Sequence, residues 1–396
     1  MTNSAQISIK SPQFNRYLVG GAVRDTLLKR EVSDRDYVVV GTTIEHMLML
    51  GFVQVGKDFP VFLHPQSKEE YALARTEKKY GQGYTGFVCF SSPKVTLEQD
   101  LQRRDLTVNA IAQDEQGHII DPFNGVTDLN NKLLRHISPA FSEDPLRVLR
   151  VARFAARYHY LNFTIYPDTL LLMKKISQSG ELHYLSIERV LKEMELSITE
   201  KSPWVFFDVL HHCCALEAIW PEIDKVWLNH GKYTLMQASR LSTKLAIRFA
   251  ALVTSIHQTS TVKDVNKMLE SLKISNEIKQ LTSKAIQHLS QCHQALTLSP
   301  NELLCLFDSV DAWRKPQLFT DLLIVCEAEY YSQDLAKVVD KPYLQAGYLL
   351  TLAELLRAIT AKPFIAQGIE GKAIKEAIVQ ARLEKINLYK KSMVNN

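Results

Sequence analysis

Hydrophobic and polar positions change their period once along this 396-residue chain, near residue 140. Upstream, short β-branched and aromatic runs at 17–19, 36–40, 60–63, 70–75, 108–112 and 118–120 are punctuated by glycine and proline. They predict the strands of a mixed sheet with intervening helices. Downstream, apolar residues recur at helical spacing through 146–158, 168–178, 186–198, 203–216, 238–256, 262–272, 276–295, 300–308 and 315–331. The expected architecture is α+β: a head with a mixed β-sheet over 1–138, a helical neck over 139–200, and a helical body and tail over 201–396.

Composition changes this picture little. Hydrophobic residues make up 46% and charged residues 23%, as in an ordinary globular protein. No apolar run reaches the length of a membrane span, and the polar first fifteen residues lack a signal-peptide core. The six cysteines, at 89, 213, 214, 292, 305 and 326, form no CxxC pair and no metal spacing. A reducing cytoplasm is expected, with the thiols acting as small apolar residues. The net charge of +4 leans only weakly towards nucleic acid, because it does not say where the charge sits.

The chemistry gathers in the head. Leu18-Val19-Gly20-Gly21-Ala22-Val23-Arg24-Asp25 reads as a strand, a glycine turn and a short helix, and Asp34-Arg35-Asp36 leads into the strand Tyr37-Val38-Val39-Val40. Alternation along that strand would put Asp34 and Asp36 on one side, a pair of carboxylates suited to Mg²⁺. Gly20 and Gly21 would let a triphosphate approach the start of a helix, with Arg24 one turn in. Glu70 either adds a third carboxylate or stays at the surface. Arg103-Arg104-Asp105 offers guanidinium groups for phosphate and ribose oxygens, or an ordinary ion pair between Arg103 and Asp105. The glycine-rich, basic stretch 74–87 reads as a mobile loop, over the active site or merely at the surface.

Asp144 and Pro145 fit an N-cap and a first helical position. At about 100° per residue, Arg147, Arg150, Arg153 and Arg157 then share one stripe while Val148, Leu149, Ala152, Ala155 and Ala156 form another. Four guanidinium groups on one side repel each other unless an anion or an acidic neighbour is present.

Five motifs, in order, resemble the tRNA CCA-adding nucleotidyltransferases and their poly(A) polymerase relatives. They are Gly20-Gly21-Ala22-Val23-Arg24-Asp25, the Asp34/Asp36 pair, Arg103-Arg104-Asp105, Asp121-Pro122-Phe123-Asn124-Gly125 with Asp128-Leu129, and Glu143-Asp144-Pro145-Leu146-Arg147. Ile187-Glu188-Arg189-Val190 with Glu193 extends the likeness to about residue 200, and 306–309 and 311–316 carry it more weakly.

This resemblance implies Mg²⁺-dependent, template-independent addition of CCA to the 3′ end of tRNA from CTP and ATP, with no protein partner required. Asp34 and Asp36 would be catalytic and metal-binding. Gly21, Arg24, Arg104, Asp144, Arg147, Arg150 and Arg153 would bind the nucleotide, with Asp144 and Arg147 reading the base edge. The stretch 74–87 would help the switch from C to A. A poly(A) polymerase and a non-catalytic RNA-binding relative are the alternatives. One departure stands out. Many similar bacterial members carry a His-Asp phosphohydrolase motif after the neck, but here Thr254-Ser255 stands at the corresponding position, so no hydrolase activity is expected and the body should bind tRNA.

Overall fold

The computed structural model describes residues 14–32, 34–55, 60–79, 87–258, 261–333 and 342–394. Its head contains β1 (Asn15–Val19), β2 (Asp36–Val40), β3 (Val53–Val55), β4 (Val61–Leu63), β5 (Glu70–Leu73), β6 (Arg75–Lys79), β7 (Phe87–Ser91), β8 (Ala112–Gln113) and β9 (Ile119–Ile120). Seven of these make one mixed sheet in the order β3-β4-β5-β2-β1-β8-β9, with β2 and β5 parallel. Val38 and Val39 are each 1% exposed yet join different apolar layers. Val39 packs with Phe14, Met47, Phe62 and Tyr71, and Val38 with Val19, Val95, Leu101 and Ala112, as opposite faces of a strand require. Burying one such valine contributes about 1.5–3 kcal/mol, so β2 is a rigid base for the acidic residues at its start.

Three expectations are corrected in the head. Asp34 precedes β2, which spans the expected 36–40 and starts where Asp36 pairs with Glu70, so strand alternation does not place Asp34. The expected strand 108–112 is a 3₁₀ turn over Thr107–Asn109 followed by β8. Asp105 holds that turn by accepting from Leu106 N at 2.9 Å and Asn109 Nδ2 at 2.8 Å, local bonds that compete with strand pairing. The stretch 74–87 is no simple loop: β6 and β7 form an antiparallel ribbon from Arg75↔Ser91 to Lys79↔Phe87, while 80–86 lie outside the described residues.

Helices α1 (Gly21–Leu27), α2 (Ile44–Met49), α3 (Leu97–Gln102) and α4 (Gly125–Asn130) cover the sheet. Gly125 is required where it stands, since a Cβ there would lie 2.3 Å from the Thr107 carbonyl. Asp121 accepts from Gly125 N and Val126 N at 2.7 and 2.9 Å, so this motif buttresses the turn after Arg103-Arg104-Asp105. Next come α5 (Leu146–Tyr158), α6 (Pro167–Gln178) and α7 (Ile187–Ile198). Residues up to Glu193 form one compact unit with Val209–Ile219, and Met194–Asp208 forms a second with the chain from Trp220 onward.

In the second unit Lys232–Leu241, Leu245–Thr254, Asn276–His293 and Pro316–Ser332 pack on one another. The helix expected over 238–256 is two, because Ser242 is extended and its carbonyl accepts from Arg248 Nε at 2.7 Å. Likewise 203–216 breaks at Cys214, whose φ of 61° lies in the left-handed region. Leu344–Arg357 and Lys372–Val394 are helices of the expected helical tail. No helix among the described residues is long and apolar enough to cross a membrane.

Candidate active site

Gly20 turns the chain from β1 into α1 with φ 64° and ψ −120°, and a Cβ there would sit 2.6 Å from Arg104 Nη1. The backbone must therefore be glycine for two reasons: its conformation and the guanidinium lying against it. Gly21 is less constrained, with ordinary 3.5 Å contact to Arg24 Nη2. Arg24 is 4% exposed. It makes two 3.0 Å bonds to Asp25, donates to Asn109 Oδ1, and lies over the Phe154 and Tyr158 rings. Burial works to raise the Asp25 carboxyl, but Arg24, Arg157 and the Tyr158 hydroxyl outweigh it and hold it below the usual carboxylate range.

Arg104 is held far more loosely. Its bonds to the Asn109 carbonyl and Asp100 are long, 3.3 and 3.4 Å, and among the described residues its Nε has no partner. Burial depresses its pKa against the pull of Asp100. An underused guanidinium beside a glycine turn is the group most ready to take an incoming anion. Arg103 differs: it binds Asp100 at 2.8 and 3.0 Å, and Asp105 pairs with Arg150 at 2.8 Å, so no Arg103–Asp105 surface pair is needed.

Helix α5 starts where expected. Pro145 is already helical, and Asp144, still extended, accepts from Leu146 N at 3.2 Å. The arginine stripe has its acidic neighbours inside the protein. Arg150 meets Asp105, Arg153 binds Glu193 at 2.5 Å, and Arg157 lies 3.5 Å from Asp25. These distant partners were invisible in the sequence, and they remove the argument that the stripe alone demands an anion. Asp144 and Arg147 do not touch each other's charged groups. Asp144 is gripped by Arg189 at 2.8 and 3.3 Å, while Arg147 donates to the carbonyls of Ala140 and Arg103 at 2.9 and 2.5 Å.

A cavity of about 490 Å³ brings these groups together. Gly21, Arg24, Asp36, Arg104, Asp144, Arg147, Arg150 and Arg153 all line it; Asp34 does not. Eight arginines face three aspartates around its wall, a surplus of positive charge suited to a polyanion. Asp34 and Asp36 share the adjoining depression with Glu70, which the β2–β5 register sets beside Asp36. The Asp36 carboxyl is raised above its usual range by enclosure and by the Asp34 charge, with Arg104 opposing. A carboxylate whose ionisation is disfavoured by a neighbouring Asp34 charge is a fitting place for a cation.

Comparison with known proteins decides the family. Residues 16–135 match the "Poly A polymerase head domain", and 162–226 match the "Probable RNA and SrmB- binding site of polymerase A". The Multifunctional CCA protein of Tolumonas auensis is 46% identical, over 93% of this chain and 96% of that one. Its namesake in Shewanella frigidimarina is 47% identical, over 94% and 97%. The chain belongs to the CCA-adding family.

The fold of this CCA-family chain is also that of the Bacillus stearothermophilus CCA-adding enzyme in complex with CTP, with a TM-score of 0.63 at 22% identity over 95% of this chain and 89% of that one. Sequence reasoning named Asp25 only inside its motif and missed the other supports of the site: Asp100 and Asn109, which hold arginines, and Phe154, which underlies Arg24 and Arg153. Arg189 and Glu193 were noticed only as parts of a motif. At the position of the missing His-Asp motif, Thr254 and Ser255 are each 1% exposed and donate to the Ala251 and Leu252 carbonyls of their own helix. Among the described residues no group of three or more His, Cys, Asp or Glu side chains is arranged to hold a metal ion.

Proposed function

We infer that this chain adds C, C and A to the 3′ end of tRNA without a nucleic-acid template, from CTP and ATP. The observation that carries this reading is the single cavity in which the Gly20 turn, Arg104 and Asp36 meet Asp144 and Arg147. In each cycle the 3′-oxygen of the tRNA attacks the α-phosphorus, the bond to the β-phosphate breaks, and pyrophosphate leaves. Arg104, with an unused Nε, and the guanidinium surplus bind and orient the triphosphate. Asp34 and Asp36 would hold Mg²⁺, which neutralises triphosphate charge and activates the 3′-hydroxyl when bound there.

Base choice falls to Asp144 and Arg147. Cytosine and adenine each place an amino group beside a ring acceptor, so a carboxylate acceptor and a guanidinium donor suit both. Uracil has a carbonyl in place of the amino group and would leave the remaining acceptor of Asp144 without a donor. Arg150 and Arg153 lie farther along the same wall and bind the nucleotide, and Gly21 and Arg24 shape the phosphate end. We assign catalysis to residues 1–138, base recognition to 139–200, and tRNA binding by shape and phosphate contact to 201–396. We place the protein in the cytoplasm, in keeping with its free cysteines. With Thr254 and Ser255 buried, we assign it no phosphohydrolase activity.

The test is incorporation on tRNA ending before CCA, with CTP alone, ATP alone and both together. Two C residues with CTP and a terminal A only when both are present are expected. Long A tracts from ATP alone would make it a poly(A) polymerase, and no Mg²⁺-dependent incorporation would make it a non-catalytic relative.

A further inference from the structure

The acceptor that meets the base is selected by a residue the proposed function leaves unused. Asp144 accepts at Oδ1 from Leu146 N at 3.2 Å and from Arg189 Nη1 at 3.3 Å, and at Oδ2 from Arg189 Nη2 at 2.8 Å. A carboxylate has about four acceptor sites, two on each oxygen. Oδ1 is thus filled, and one site on Oδ2 remains. Arg189 lines the same cavity as Asp144, and its forked grip on both oxygens fixes the plane of the carboxylate. One turn farther along α7, Glu193 holds Arg153 at 2.5 Å and lies 3.7 Å from Arg150. One face of α7 therefore braces both the acidic and the basic parts of the wall.

We propose that Arg189 is a specificity-determining positioning residue, which blocks Oδ1 and turns the single open acceptor of Asp144 Oδ2 towards the amino group of cytosine or adenine. The proposal rests on the base-reading role given to Asp144 above. Arg189 touches no reacting atom; its effect is to leave one acceptor in one direction. A carboxylate free to rotate would present several acceptors, and nucleotide choice would loosen.

The experiment compares wild type, Arg189→Lys, Arg189→Ala, Asp144→Asn and the double variant Asp144→Asn/Arg189→Lys. Relative kcat/KM for CTP, ATP and UTP is measured on one tRNA, alongside tRNA Kd and circular dichroism. Arg189→Lys keeps the charge but loses the fork, so discrimination against UTP should fall roughly tenfold, about the worth of one hydrogen bond. The loss should appear in KM for CTP and ATP more than in kcat, with tRNA Kd unchanged. Arg189→Ala should fall further, and the double variant should discriminate no worse than Asp144→Asn alone.

If Asp144→Asn alters nucleotide choice but Arg189→Lys lowers all three nucleotides equally or not at all, the proposal fails while base reading stands. If neither variant alters choice, base reading by Asp144 fails, and the proposal with it. Should Arg189→Ala misfold, Arg189→Lys decides the matter alone.

Discussion

Adjacent glycines at the head of α1 separate backbone strain from phosphate access. Gly20→Ala would hold alanine at φ 64° and ψ −120°, a region almost reserved for glycine, at a cost of about 1–3 kcal/mol. Its Cβ would also press on Arg104 Nη1 from 2.6 Å. Moving that guanidinium is cheap for the fold, because the bonds it gives up are 3.3 and 3.4 Å long, so the stability loss should stay near the strain itself. Activity should suffer more. A charge-assisted bond to the nucleotide is worth roughly 1.5–3 kcal/mol, or about 10- to 100-fold in kcat/KM. Gly21→Ala meets only ordinary contact at 3.5 Å and should change stability by less than about 1 kcal/mol, in either direction. If phosphate oxygens approach the backbone at Gly21, that variant loses kcat/KM while keeping its fold. Urea unfolding and steady-state incorporation on all three proteins test this. Equal stability losses in both variants, or an unchanged kcat/KM in Gly20→Ala, would refute the reasoning.

Asp34→Ala and Asp36→Ala should each abolish C and A addition alike while leaving circular dichroism and tRNA Kd near wild type; a variant with near-normal turnover would end their metal-binding assignment. The purified protein should not cleave 2′,3′-cyclic nucleotides with Ni²⁺, Co²⁺ or Mn²⁺, and metal-stimulated cleavage that survives Asp34→Ala would show a second active site. Burial opposes the charge on Asp105, but Arg150, Asn109 and Arg147 outweigh it and hold the carboxyl well below the usual range, so its contribution is complete above the unfolded-state pKa of about 3.9 and is lost as pH falls towards the depressed folded value. Asp105→Asn should therefore cost about 3–5 kcal/mol at pH 7, and urea midpoints should show that gap narrowing by about 1.4 kcal/mol per pH unit below about pH 4; a gap independent of pH would contradict the pairing.

What the sequence disclosed depended on the range of the forces involved. β2 and α5 fall at their expected bounds because each is specified locally, by an unbroken β-branched run and by an apolar stripe with a capping residue. The turn at Thr107–Asn109 escaped because Asp105 and Asn109 bond side chain to side chain across four residues, which propensity alone does not reveal. The break at Cys214 is a left-handed residue that is not glycine, so no breaker signal marked it. The ion pairs were hardest of all. Arg189 and Asp144 are 45 residues apart, as are Arg150 and Asp105, and only the folded chain brings them together.

Those hidden pairs alter how the site should work. A bare stripe of arginines would bind a triphosphate by relieving its own repulsion, and each guanidinium would still have to find its orientation on binding. Here Asp105, Glu193 and Asp25 have already set Arg150, Arg153 and Arg157 in place, so that ordering cost falls in folding and not in catalysis. Arg24 is tied still more tightly, between Asp25, Asn109 and two aromatic rings. Of the arginines proposed to bind the nucleotide, Arg104 keeps long bonds and, among the described residues, an Nε without a partner. A fixed positive wall attracts and aligns whichever triphosphate arrives, because phosphates are common to all nucleotides. Selection must then come from groups whose pairing depends on the base, and in this cavity Arg189 grips Asp144 by both oxygens. On the roles proposed for these residues, affinity and choice would reside on different side chains, so substitutions of Arg104 should weaken CTP and ATP together while those of Asp144 should separate them from UTP.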